Sequence, residues 1–189
     1  MKRHGGGIAA LTASAASLVA AAAAYAQMVP AAKIDTNAAL RPARQNIGTV
    51  EKLFDTRLYA LGSANQPVEI GGLTRGLYLA NYGAVFSSEL SLAPLVTTSP
   101  FRLTITKKLH DDVHQLKLSR LPALRNTMIE MMKEAAKDLP QVPESQQIVV
   151  AVRLDYMSWE DRAGLPGQIV MSATRKDALA GVVQTTEEQ

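Results

Sequence analysis

Cysteine is absent from the 189-residue chain. Its absence excludes a disulfide scaffold, a thiolate-ligated zinc or iron–sulfur centre, a thiol nucleophile and a lipidated N-terminal cysteine. Aromatic residues make up only 5%, and no Lys/Arg cluster is interleaved with them as a nucleic-acid surface requires. An excess of one charge is missing too: 20 Lys+Arg stand against 17 Asp+Glu. What is present suits a folded domain. Apolar residues reach 47% and charged residues 20%, which excludes a disordered polyelectrolyte. The length is ample for one hydrophobic core.

The first 26 residues read as a signal peptide. Lys2, Arg3 and His4 form a basic start, and an uncharged run follows from Ile8 to Ala24. Ala24-Tyr25-Ala26 is an A-x-A cleavage site before Gln27. A retained anchor is the rival reading, because Ile8–Ala26 approaches the ~20 residues that span a bilayer. The run is mostly alanine, however, with Ile8, Leu11, Leu18 and Val19 as its strongly apolar members. Alanine contributes little to insertion, and cleavage is the favoured reading. No later run is comparable, so no integral membrane segment is expected after cleavage. Loss of Lys2 and Arg3 leaves 18 basic residues against 17 acidic ones. A net charge of +1 gives no electrostatic case for nucleic acid. The expected location is extracytoplasmic, periplasmic or secreted.

Residues 27–43 are Ala/Pro-rich and read as a flexible tether. The domain is expected over 44–182, with a polar tail at 183–189. Ile47, Val50, Phe54, Leu58 and Leu61 step as one helical face, with Asn46 as a candidate cap and Gly62 as the stop. Val68–Ile70 opens a strand that Gly71-Gly72 interrupts. The aromatic and β-branched stretch Gly76–Leu92 reads as strand, split in two by a bulge or turn at Gly83. Phe101–Thr106 is a short extended piece. A helical period then begins with Leu109, Val113 and Leu116. Pro122 in a first turn predicts a second helix bearing Leu121, Leu124, Met128, Met131, Ala135 and Leu139. Strands at 147–156 and 168–173 form a long-looped hairpin, and a short helix is expected near Lys176–Ala180. Strands arriving as hairpins predict an α+β fold, a mostly antiparallel sheet with amphipathic helices packed on one face.

The sharpest chemical motif is His110-Asp111-Asp112-Val113-His114. Two imidazoles at i and i+4 can share a metal, with Glu130 or Glu134 as a third ligand. The spacing is that of H-E-x-x-H, but Asp111 replaces the glutamate and is one methylene shorter. The plainer reading puts both histidines at the boundary of the buried face, and no metal or other cofactor is expected. Gly71–Gly76 lacks the Lys-Ser/Thr of a phosphate loop and precedes a strand, so it reads as a turn. Ser87, Ser88, Ser91 and Ser99 lie in no G-x-S-x-G elbow. The three methionines Met128, Met131 and Met132 read as core filler.

The candidate binding segment is the loop Met157–Gly167, which holds the only tryptophan. Trp159 either folds back to close the core or projects as an anchor. The first is favoured, with Glu160 and Asp161 as the exposed part of the loop.

Gly76–Leu92, Arg120-Leu121-Pro122, Trp159-Glu160-Asp161, and Gly164-Leu165-Pro166 followed by Gln168–Met171 resemble a group of uncharacterised exported bacterial proteins. The resemblance implies export and a single domain. It carries no established activity, so no functional residue is transferred by it. The expectation for function is an exported, soluble, non-catalytic domain that binds an envelope protein or ligand. The alternative is a metal-dependent hydrolase using His110 and His114.

Overall fold

The computed structural model describes residues 36–96 and 104–189, with side chains from residue 44 onward. The expected signal peptide lies outside the described residues, as does most of the tether and the start of the piece at Phe101. The elements run in the order α1 (Thr36–Tyr59), β1 (Glu69–Leu79), β2 (Gly83–Ser91), α2 (Lys107–Asp138), β3 (Gln147–Leu154), β4 (Gln168–Thr174), α3 (Arg175–Ala180) and β5 (Gln184–Glu188). The strands form one sheet in sequence order. Every neighbouring pair is antiparallel except β2 and β3, which run parallel because α2 carries the chain back between them. The fold is α+β, as the hairpin pattern predicts.

Alternation along the strands sends one set of side chains to the helices. Phe86, Val150 and Met171 stand in one cross-strand row; Ala84, Ile148 and Ala173 form the next. All six are buried. Against them lie Val50, Phe54 and Leu58 of α1 and Leu121, Leu124, Met128, Met131 and Met132 of α2. Phe54 and Phe86 meet with ring centroids 5.0 Å apart at 57°, a tilted aromatic pair. Phe86 also lies over Gly76, where an added Cβ would stand 2.5 Å from its ring.

Several expectations are corrected. Asn46 does not cap a helix: α1 begins at Thr36, within the expected tether, and runs through Asn46. Its side-chain amide instead donates to the carbonyl of Asp138 at 3.1 Å. Pro122 does not start a second helix. It lies inside α2, one helix of 32 residues capped by Thr106, whose hydroxyl accepts from the Leu109 N–H at 3.2 Å. An internal proline removes one backbone hydrogen bond, but the buried stripe Val113, Lys117, Leu121, Leu124 and Met128 continues through it. Burial of that stripe outweighs the local cost. Gly71-Gly72 does not interrupt a strand; β1 passes through it with register shifts on either side of Gly72, as β-bulges. The polar tail is a fifth strand. Gln184–Glu188 pairs with β4, and Arg125 of α2 clamps Glu187 through two bonds of 2.6 and 2.8 Å.

The turn at Gly83 follows the sequence reading. Asn81 sits at φ 65 and Gly83 at φ 136. A Cβ on Gly83 would lie 1.9 Å from the carbonyl oxygen of Gln147, where the parallel pairing of β2 and β3 begins. Glycine is required there. The β1 edge is closed by the first helix. The Thr74 N–H donates to Asp55 at 2.8 Å, and the Gly76 N–H donates to Glu51 at 2.6 Å. Two carboxylates one helical turn apart thus occupy edge donors that a further strand would use. Among the described residues, no helix is long and apolar enough to cross a membrane.

Candidate functional site

The loop after β3 is built around a buried charge. Lys117 sits on the buried stripe of α2 with its side chain 1% exposed. Its ammonium is paired with Glu160, whose side chain is 4% exposed, and donates to the Asp155 carbonyl at 3.0 Å. It also lies 4.5 Å from the centroid of Tyr156, and the Arg162 guanidinium stands 5.0 Å from the same centroid. The Tyr156 hydroxyl donates to the Pro166 carbonyl at 2.7 Å. Burial pulls the Lys117 ammonium below its ordinary range, against the opposing effect of the hydrogen bond it donates to Glu160. Burial pushes the Tyr156 phenol up to about 12. The arrangement is a latch that fastens the loop to the helix.

This corrects the reading of Glu160 as part of an exposed rim. Its negative charge is drawn inward because α2 presents a buried cation that needs a partner. Asp161 is exposed, and its carboxylate accepts from the Ala163 N–H at 2.9 Å in a tight local turn. Trp159 is half-buried and lies outside the main core cluster. Its indole centroid is 6.4 Å from the His110 ring, and its N–H is buried with no hydrogen-bond partner among the described residues. The three loop residues therefore play three parts, and they do not form one exposed surface. Lys117 was the missed residue. Its signal is a lysine four residues after Val113 and four before Leu121, on the apolar stripe itself.

The two histidines engage different neighbours. His110 lies 3.4 Å from Asp111, and His114 Nδ1 lies 3.1 Å from the Asp161 carbonyl. Asp111 and Asp112 are paired with Lys107 and Lys108, each at 2.6 Å. Among the described residues, no three His, Asp or Glu side chains converge as a metal site would need.

The face of the sheet opposite the helices is a second candidate. Here Leu77, Val85, Val149 and Ser172 form one cross-strand row, and Arg75, Ser87, Ala151 and Val170 form the next. The third is Gly72, Glu89, Arg153 and Gln168. Where β1 bulges, this face sinks into a depression of about 420 Å³ lined by Leu73, Arg75, Ser87, Glu89, Ala151 and Arg153. The volume falls within the range of small-molecule sites. Its floor is low because Ser87 and Ala151 are small. Its charges are not equivalent. Arg153 lies between Glu89 at 3.0 Å and Asp155 at 3.5 Å. Arg75 is exposed, and nothing among the described residues pairs with it.

Comparison of the chain with protein-family models, with curated proteins and with solved structures finds no match.

Proposed function

We propose that this protein is a non-catalytic binding domain that works outside the cytoplasm and takes its ligand on the uncovered face of the sheet. One observation carries the reading. Among the described residues the packing helices cover one face, and the other holds a depression whose wall carries Arg75 with no ion-pair partner. A sheet left open on one side is stable when that side is polar enough for water. Here it is mixed: Leu73 is 59% and Leu77 50% exposed beside Arg75. Apolar surface with few convergent polar groups is the chemistry of a ligand site. Of the two serines in the lining, Ser88 shares a hydrogen bond of 2.8 Å with the Thr74 hydroxyl, and among the described residues neither is bonded to a base.

Export rests on the sequence of residues 1–26 alone. N-terminal sequencing of the protein recovered from outside the cytoplasm is expected to begin at Gln27. An intact residue 1–26 segment in the membrane fraction would reverse that assignment. For the binding face, amide-shift mapping with a mixed library of charged and neutral fragments is expected to move the signals of Arg75, Ser87, Ala151 and Arg153 before any others. Shifts gathered around Trp159 and His110 would transfer the role to the depression of about 450 Å³ at the start of α2.

A further inference from the structure

The ligand of the open face is determined by its charges. We infer that the depression beside β1 binds a small monoanion, a carboxylate carrying a short apolar group, through Arg75. The inference rests on the reading of the uncovered face as the binding face and adds to it the class of ligand.

Three features fix the class. The first is an available cation. A guanidinium offers a planar fork of donors that matches a carboxylate in two parallel hydrogen bonds. Of the two arginines in the depression, Arg153 already has Glu89 and Asp155. Gly71 sharpens that engagement, since a Cβ there would stand 2.7 Å from Asp155 Oδ2; the carboxylate lies tight against the bulge. Among the described residues Arg75 has no such partner, and it is the group left to receive an anion.

The second feature is the charge sum. Arg75 and Arg153 contribute two positive charges to the lining, and Glu89 contributes one negative charge. Asp155, 3.5 Å from Arg153 at the edge of the lining, adds a second negative charge, so the sum is neutral and Arg75 is the one cation not offset by a partner among the described residues, which suits a monoanion. A phosphate dianion would bring its second charge toward Glu89, and like charges at close range oppose binding.

The third feature is the apolar side. Leu73 and the Cβ of Ala151 line the same depression as Arg75. Leu73 is 59% exposed, so covering it removes apolar area from water. A carboxylate alone would leave that surface wet. One with an attached ring or short alkyl chain covers it while its oxygens reach the guanidinium.

The test uses the full chain and three probes of one shape: phenylacetate, phenylacetamide and phenyl phosphate. Affinity is read from amide shifts of the open-face residues. Phenylacetate is expected to bind more tightly than both other probes. Arg75→Gln, an exposed position whose loss leaves the core intact, is expected to weaken phenylacetate roughly five- to tenfold and to leave phenylacetamide unchanged. Glu89→Gln is expected to improve phenyl phosphate relative to phenylacetate. If phenylacetamide binds as well as phenylacetate, or if Arg75→Gln changes nothing, the carboxylate inference is overturned and the face remains a ligand face. Tighter binding of phenyl phosphate to the unaltered chain overturns the inference in the same way. If no probe, charged or neutral, moves an open-face amide, both the inference and the reading beneath it fail.

Discussion

On the helix side of the sheet, Phe86, Val150 and Met171 stand abreast in a dry row. One residue along each strand, on the opposite side, the row is Ser87, Ala151 and Val170, with Arg75 at its end. The same strands make both rows, and the backbone hydrogen bonds serve both equally. What separates them is cover. Side chains on the first face gain from burial against α1 and α2. Those on the second are less covered, with Val149 at 8% exposed as the exception, so small and charged residues are tolerated there. The latch at Lys117 and Glu160 belongs to neither row. It puts a charge pair inside the protein, where desolvation and attraction nearly balance.

Removing one member of the latch tests the largest of these effects. Lys117→Met leaves the Glu160 carboxylate buried and unpaired, and is expected to cost ~3–5 kcal/mol. Lys117→Met with Glu160→Leu is expected to recover much of that loss. Equal denaturation midpoints for the single and double variants would contradict a coupled pair.

The next comparison sets two leucines on opposite sides of the sheet. Leu124, fully buried on α2, is expected to cost ~2–5 kcal/mol when changed to alanine. Leu77 on the open face is 50% exposed, and its change to alanine is expected to cost less than about 0.5 kcal/mol. Similar losses for the two would mean that something covers the open face in solution.

The pH response of Tyr156 isolates the loop. Its phenol ionises near 10 in the unfolded chain and near 12 in the fold. The folded state therefore holds the proton more tightly, and the resulting stability is complete below pH ~10. It is lost as pH rises toward 12, by an amount that solvent screening of the half-exposed ring holds below about 2 kcal/mol. Tyr156→Phe is expected to flatten this part of the stability profile. A variant that follows the unaltered protein through that window would remove Tyr156 as the cause.

The smallest expected effect concerns the last strand. Glu187→Gln breaks the ion pair with Arg125 at a surface position, and should cost under about 1 kcal/mol. Hydrogen exchange is expected to speed up in Gln184–Glu188 and in the facing β4 amides while the rest of the sheet keeps its rates. Unchanged exchange in β5 would show that backbone pairing alone secures the strand.

Periodicity made the core legible. Val50, Phe54 and Leu58 in α1, Leu124 and Met128 in α2, and Ile148, Val150 and Val152 in β3 follow directly from steps of 3.6 and 2. Lys117 shows where that reading stops. It occupies an apolar position by spacing, yet its burial depends on Glu160, 43 residues away. The open-face depression was less visible still. Arg75 and Ser87 look like ordinary polar strand residues, and only register brings them beside Ala151 and Arg153.

The sequence by itself determined the α+β class, the hairpins, the turn at Gly83 and the apolar faces, because each depends on the local period or on the steric needs of one residue. Tertiary structure decided that α2 runs through Pro122, that Glu160 is buried, that 184–188 is a strand and that one sheet face stays open. Those outcomes depend on sums over distant partners. Burial of a continuous stripe can exceed the cost of one lost hydrogen bond, a buried cation draws in a remote carboxylate, and a polar segment becomes a strand when a neighbour offers its edge.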